Sequence, residues 1–178
     1  VAKDYPALNV RTGEITTVEI GRINEAPELS ELVAKGELPP VEERISEEPL
    51  VLEPLERIGK YGGTIVQARI PAYLTTLSQR LQREFLLNFS NPYLVDIIPN
   101  VAKDWTMNDD ATQFTFYLRE GMKWSDGEPF TTDDIVFWYE AIIKNDELYP
   151  SKDTRMMSGG ELGLVRKVDD YTVTFTFL

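Results

Sequence analysis

Cysteine and histidine are both missing from this sequence of 178 residues. Their absence excludes thiol nucleophiles, imidazole general bases, disulfides and the usual kinds of zinc site. Basic residues are few, 18 against 30 acidic ones, so the formal net charge is −12. A chain this acidic repels phosphate groups and offers no basic patch, so we expect no nucleic-acid partner. No apolar run reaches the roughly 18 residues that a membrane-spanning helix requires.

Carboxylates are plentiful, but their spacing nominates no catalytic or metal site. Neighbouring residues on a helix point about 100° apart, so adjacent acids cannot share a proton. This applies to Asp133-Asp134, which we interpret as helix-capping residues, whereas we interpret Asp109-Asp110 and Asp169-Asp170 as solvated turns. No stretch alternates oxygen ligands as a calcium loop does, and no glycine cluster has the spacing of a phosphate-binding loop. The sequence therefore predicts no cofactor, no metal and no enzymatic activity.

The segment from Leu118 to Glu140 and the strand before it carry the clearest local pattern. Residues 112–119 alternate apolar and polar side chains, which predicts a half-buried strand. The triplet Ser125-Asp126-Gly127 predicts a tight turn. A helix should follow, because Thr131 or Thr132 can accept a hydrogen bond at its start, and residues 133–134 place carboxylates in its first turn.

That helix is rich in large apolar side chains. Residues Ile135, Trp138, Tyr139 and Ile142 recur at helical spacing, and three further apolar residues widen the surface: Val136, Phe137 and Ile143. A helix with this composition is expected to be buried on most sides. The sequence also predicts that the three tryptophans, Trp105, Trp124 and Trp138, belong to the core; stacking on a sugar is the alternative.

The remaining sequence predicts alternating short elements. We expect strands at 15–20, 64–70 and 93–98, helices at 28–35 and 74–89, a helical or turn segment at 102–105, a polar loop at 145–160, and a hairpin of 163–168 with 171–178. Pro27 suits the first position of a helix and Gly36 its end. Residues 37–60 predict an acidic strap anchored by residues 50–52 and Leu55, or alternatively a free linker.

Five short blocks in a fixed order resemble the family 5 extracellular solute-binding proteins, the peptide, nickel and oligosaccharide receptors of ABC importers. They are residues 99–105 (PNVAKDW), 115–119 (TFYLR), 121–127 (GMKWSDG), 131–137 (TTDDIVF) and 168–173 (VDDYTV). Residues 36–44 and 59–64 look like the start of the longer members. Residues 71–98 depart from the peptide-receptor pattern, which leaves the substrate class open.

The resemblance implies an α+β fold, the N-terminal part of a two-lobed periplasmic-binding-protein-like architecture with a mixed β-sheet and flanking helices. It implies an acidic, proline-rich extension at 1–60, the start of lobe I at 61–98, and an inserted β-rich subdomain of lobe I at 99–178. Family members are several times longer, so we expect the chain to be a fragment without the second lobe. Any signal sequence and lipid-anchoring cysteine would have been removed.

The resemblance also implies a function and a few site residues. The protein would capture a peptide or an oligosaccharide outside the cell or in the periplasm and deliver it to the permease subunits of an ABC importer. The loop after the first strand of lobe I would face the ligand, which corresponds to Pro71, Ala72, Tyr73 and Thr75. Tyr149, after the helix, would contact a peptide backbone. Each tyrosine could instead serve packing.

Two other functions stay open at this point. One is a ligand-sensing domain of a transcriptional regulator, although the first 60 residues are acidic and interrupted by proline, unlike a DNA-binding segment. The other is an acidic hydrolase, which would need two carboxyl groups about 5–9 Å apart in a pocket, one with a raised pKa.

Overall fold

The computed structural model describes residues 2–10, 12–54, 56–64, 83–89 and 96–178. The chain divides into two units. Unit 1 comprises Val1–Arg44 and Pro49–Asn100, and unit 2 comprises Ile45–Glu48 and Val101–Leu178. Each unit is taken by itself below.

Unit 1 begins with a three-stranded sheet in the order β2-β1-β3. Strand β1 spans Lys3–Asn9, β2 spans Ile15–Ile20 and β3 spans Val51–Glu53. β2 pairs antiparallel with β1, and β3 pairs parallel with its other edge. Ala7 and Leu8 in the central strand are almost fully buried. The prediction of a strand at 15–20 is confirmed, whereas β1 was not predicted.

Two short helices lie between β2 and β3 in the sequence. Helix α1 spans Pro27–Ala34 with Pro27 in its first turn, and Gly36 follows with a φ of +73°, so the predicted start and end are both confirmed. Helix α2 spans Val41–Arg44, and Arg44 forms an ion pair with Glu25.

The strap predicted at 37–60 is partly confirmed. Its residues 51–53 form β3, so this stretch is not a free linker. The choice of Leu52 as an anchor is wrong, because its side chain is 60% exposed. Leu55, the other proposed anchor, lies outside the described residues.

A two-stranded antiparallel sheet completes the described part of unit 1. Strand β4 spans Leu87–Phe89 and β5 spans Ile97–Pro99. The prediction of a helix at 74–89 is therefore wrong at its end, because cross-strand pairing with β5 replaces the helical pattern. The rest of that helix, the strand at 64–70 beyond Thr64, and the strand at 93–98 before Asp96 lie outside the described residues.

Unit 2 is built on a four-stranded antiparallel sheet in the order β10-β11-β7-β6. Its strands are β6 at Ala102–Met107, β7 at Gln113–Leu118, β10 at Leu164–Asp169 and β11 at Thr172–Thr176. The predicted strand at 112–119 and the predicted hairpin are confirmed. The helical segment predicted at 102–105 is wrong, because these residues pair with β7 as a strand.

The segment predicted as a polar loop at 145–160 contains regular structure. A 3₁₀-helix spans Thr154–Met156, and a small hairpin joins β8 at Met157–Ser158 to β9 at Glu161–Leu162.

Alternating side chains give the sheet of unit 2 one apolar face. Phe116 and Phe175 are diagonal neighbours across β7 and β11, with ring centroids 5.4 Å apart, edge to face. Val173 and Leu118 are fully buried. The other face is polar, and Thr115 stands opposite Thr174 there. The apolar face receives the helix that follows the Ser125-Asp126-Gly127 turn.

Helix α3 spans Thr132–Phe137 and starts with the predicted cap. The Thr131 hydroxyl accepts from the N–H of Asp133, and the Asp134 carboxylate accepts from the N–H of Thr131 at 2.9 Å. The helix continues as a π-helix over Trp138–Ile143, with the N–H of Lys144 donating to the carbonyl of Tyr139, five positions back, at 3.0 Å.

Two side chains of the π-helix reach the core. Tyr139 and Ile143 are buried there and pack with Val165 and Val173. Phe137 is 67% exposed, so the prediction of burial on most sides of the helix is wrong. The expectation that all three tryptophans are core is also wrong: Trp138 and Trp124 are 38% and 49% exposed, and only Trp105 is half-buried on the apolar face.

Candidate functional site

The residues predicted to bind a ligand fall into two groups. Pro71, Ala72, Tyr73 and Thr75 lie outside the described residues. Tyr149 is described, half-buried, and packs against the core cluster of Tyr139, Ile143, Val165 and Val173. Its N–H donates to the carbonyl of Asn145 at 2.8 Å. This position gives Tyr149 a packing role, and its contact with a ligand stays a prediction.

A cleft of about 550 Å³ lies in unit 2, where β7 ends beside the start of β11. This volume is within the range of small-molecule sites, about 300–1,000 Å³. We name it the Tyr117–Tyr171 cleft after its two aromatic residues. Its lining residues are Lys103, Tyr117, Leu118, Glu120, Asp169, Asp170, Tyr171 and Thr172.

A β-bulge in β6 positions Lys103, the one lysine among the residues that line the cleft. The pairing of β6 with β7 shifts between Ala102 and Asp104, which leaves Lys103 as the extra residue of a β-bulge. Bulges of this kind redirect a side chain. The Lys103 ammonium lies 3.3 Å from the Glu48 carboxylate and 3.8 Å from the Glu120 carboxylate.

The turn between β10 and β11 supplies the opposite side of the cleft. The Asp169 carboxylate accepts from the N–H of Tyr171 at 2.8 Å, and this bond is the main cause that lowers the pKa of Asp169. Asp170 pairs with Lys167 at 2.7 Å. The hydrogen bonds that the Lys167 ammonium donates to Asp133, and then to Asp170, raise the pKa of Lys167. The interpretation of 169–170 as a turn is confirmed.

The first residue of α3 holds the turn between β10 and β11 in place through two hydrogen bonds. The buried Thr132 hydroxyl donates to the carbonyl of Asp169 at 2.5 Å, and its N–H donates to the carbonyl of Asp170 at 2.9 Å. Thr132 therefore serves as a support for the cleft, while its neighbour Thr131 caps the helix.

The segment Ile45–Glu48 is held against the end of β7. The N–H of Glu47 donates to the carbonyl of Glu120 at 3.0 Å, and the Arg119 guanidinium donates to the carbonyl of Glu48 at 2.8 Å. Arg119 is only 5% exposed, and this burial lowers its pKa. Sequence reasoning placed Arg119 in a family block but gave no sign of its partner, which lies 71 positions away.

The adjacent acids at the start of α3 each have a structural partner. Asp134 closes the capping box, and Asp133 pairs with Lys167 at 2.7 Å. Among these residues no group of three or more acidic side chains is placed to hold a metal ion. None of the helices in the described ranges has the length and apolar character needed to cross a membrane.

The chain has clear relatives. Residues 96–178 match the sequence model described as bacterial extracellular solute-binding proteins, family 5 middle. The periplasmic alpha-galactoside-binding protein of Rhizobium meliloti is 30% identical over 164 residues, which cover 82% of this chain and 24% of that protein.

Two solved structures share the fold over most of the chain. The oligopeptide-binding protein OppA is 37% identical, with a TM-score of 0.75 over 94% of this chain and 25% of its own. The Agrobacterium fabrum periplasmic binding protein MelB, in complex with stachyose, is 28% identical, with a TM-score of 0.65 over 87% of this chain and 26% of its own. The chain thus spans about a quarter of the length of each relative.

The fold is therefore part of the α+β architecture of the periplasmic solute-binding proteins. Residues 96–178 match the middle region of the bacterial extracellular solute-binding proteins of family 5, which confirms the resemblance seen in the sequence blocks. The named relatives are binding proteins rather than enzymes.

Proposed function

We propose that this chain is part of a solute receptor that captures a peptide or an oligosaccharide and delivers it to the permease of an ABC importer, without chemical change to the solute. One observation carries the proposal: likeness to OppA extends over 94% of the chain, so it includes the N-terminal strands and helices as well as the family 5 middle region. A match restricted to the middle region, residues 96–178, would be weaker support for a receptor function.

Two solute classes each have an observation in their favour. The OppA likeness, at 37% identity, favours an oligopeptide. The Rhizobium and Agrobacterium proteins, one named for alpha-galactosides and the other bound to stachyose, favour an alpha-galactoside oligosaccharide. We propose that the protein acts in the periplasm or at the outer face of the membrane; the Rhizobium and Agrobacterium relatives are both periplasmic binding proteins. Pro71, Ala72, Tyr73, Thr75 and Tyr149 are the residues we propose for solute contact.

The alternatives weighed from the sequence receive no support from these relatives. None of the three is named as a regulator or as a hydrolase. In a receptor, closure of two lobes around the solute would supply both affinity and the conformation that the permease recognises.

Native mass spectrometry tests the proposal on protein purified without refolding from cells that express the complete gene. A retained adduct with a peptide mass or a hexose-oligomer mass supports the receptor function and names the solute class. Thermal-shift assays with stachyose, raffinose and a mixed oligopeptide library follow. No adduct and no shift with any of these solutes would contradict the proposal.

A further inference from the structure

The outer edge of β2 is long, regular and exposed. Among the described residues, β2 pairs with β1 alone, and its other edge faces no strand. The ladder with β1 runs over six residue pairs without a shift in register. Most side chains of β2 are exposed, and Ile15 is 44% exposed. This edge therefore presents a straight row of main-chain groups to the solvent.

Pro6 shows which main-chain groups of β2 point outward. It lies opposite Thr17 and has no N–H, so the two residues cannot exchange the hydrogen bonds of a hydrogen-bonded antiparallel pair. The N–H of Asn9 donates to the carbonyl of Glu14 at 2.9 Å, and the alternation of the ladder from that bond gives the same result. The groups that point away from β1 therefore belong to every second residue of β2: Ile15, Thr17 and Glu19.

The other six-residue edge strands, β6 and β10, carry protection that β2 lacks. The register of β10 shifts after Lys167, and Arg166 adds a second cation to this strand. β6 has its bulge at Lys103, and the Asp104 carboxylate accepts from the N–H of Trp105 at 2.8 Å. Proteins use bulges and charges of this kind to prevent pairing between sheet edges. β2 has neither a bulge nor a proline, and five of its six residues are β-branched, a composition that favours strand pairing.

We propose that the outer edge of β2 binds the same edge of a second copy of this chain, in an antiparallel two-fold pairing centred on Thr17. In this register Thr17 stands opposite its own counterpart, and Ile15 stands opposite Glu19 of the second copy. The one charged residue of β2 thus faces an apolar one, so like charges do not meet across the axis. Every outward N–H and C=O of the strand gains a partner. Because both copies use the same edge, the contact closes at two.

This association is weak and depends on salt in a characteristic direction. One added strand pair buries much less surface than a standard interface of about 1,600 Å², so we expect a Kd of about 100 μM. Each copy also has a formal charge of −12, so the two copies repel each other at low ionic strength. The dimer should therefore be tighter at about 200 mM salt than at about 20 mM salt, the opposite of an interface built on ion pairs. The pairing goes beyond the proposed receptor function and does not depend on it.

Cysteine cross-linking tests the register, because these 178 residues contain no cysteine. At the two-fold axis the Cα atoms of a hydrogen-bonded pair lie about 5.5 Å apart, which suits a disulfide. In the protein expressed from the complete gene, diamide should therefore cross-link Thr17→Cys at least about five times as much as Thr16→Cys, whose counterparts would lie about 8 Å apart. A tryptic peptide of residues 12–22 joined to itself would identify the bond. Equal cross-linking of the two variants, or none, would overturn the proposal.

Sedimentation velocity of the same protein tests the main-chain pairing. Thr17→Pro removes the central outward N–H without removing a hydrogen bond to β1, so the Kd should rise at least about tenfold while the fold is kept. Thr17→Val is the matched control, because it keeps the N–H and a β-branched side chain, and its Kd should stay within about twofold of the parent. An equal Kd for both variants would overturn the proposal. A parent protein that stays monomeric up to about 500 μM would also overturn it and would assign the edge to a strand of the same molecule.

Discussion

The guanidinium of Arg119 holds the main-chain carbonyl of Glu48 at 2.8 Å, although 71 positions separate the two residues. A hydrogen bond from a charged donor contributes more than a neutral one, about 1.5–3 kcal/mol. We expect Arg119→Met to lower the free energy of unfolding by about this amount, measured by urea denaturation. Hydrogen exchange at the amide of Glu47 should accelerate as well. Arg166→Met, on an exposed position of β10, is the control and should cost under about 0.5 kcal/mol.

Gly121 allows the same segment to approach closely. Its φ is +73°, and a Cβ there would stand 3.0 Å from Cγ and 3.3 Å from the main-chain N of Glu47. Gly121→Ala should therefore have two effects. It forces alanine into a left-handed backbone conformation, which costs about 1–2 kcal/mol, and it displaces the segment that contains Glu47. Gly127→Ala carries the backbone cost alone, because no atom lies within 4 Å of its Cβ position. Hydrogen exchange at the Glu47 amide should therefore be faster in Gly121→Ala and unchanged in Gly127→Ala. Faster exchange in both variants would contradict this explanation.

Gly163 is required by a ring rather than by its backbone. A Cβ at this position would stand 2.5 Å from Cε1 and 2.6 Å from Cδ1 of Phe177. We expect Gly163→Ala to destabilise the protein by about 1–3 kcal/mol through overpacking. Phe177→Leu should rescue part of that loss, so the double variant would be more stable than the sum of the single effects predicts. Strict additivity in chemical denaturation would show that the ring does not cause the cost.

Asp153 should remain ionised in acid. Hydrogen bonds from the Arg155 side chain, then from its N–H, lower the pKa of Asp153 from 3.8 to about 2. Because the folded pKa is depressed, the ionised carboxylate stabilises the fold above pH 3.8 and loses this effect as the pH falls towards 2. Carboxyl ¹³C NMR at about pH 3 should show Asp153 still ionised in the parent protein, and partly protonated in Arg155→Met. Identical titration of both proteins would refute the assignment.

Local patterns predicted the elements that close within a few residues. The cap by Thr131 and Asp134 spans three positions, and the turn ending at Gly127, with a φ of +94°, needs only its own residues. Burial and pairing could not be predicted in this way. β6 is a strand because β7 lies beside it, and Trp124 remains 49% exposed although its ring lies 5.0 Å from that of Phe130.

The candidate site shows the same division. The family blocks contain Lys103, Tyr117 and Tyr171, but nothing in their spacing indicates that they line one cleft. Their meeting depends on a bulge in β6 and on the pairing of β7 with β11, both of which are long-range properties. The partner of Arg119 was hidden for the same reason.

The central position of β1 sets an order of assembly. Its hairpin with β2 closes within a short turn, where the N–H of Gly13 donates to the carbonyl of Asn9 at 2.8 Å. Its other edge must wait for Val51–Glu53, which arrive on a nascent chain only after both helices have been synthesised. Local hairpins form in about 1–10 μs, whereas non-local pairing comes later because a long loop must close first. Until residue 53 leaves the ribosome, β1 therefore carries an unpaired edge that a chaperone or a second nascent chain can occupy.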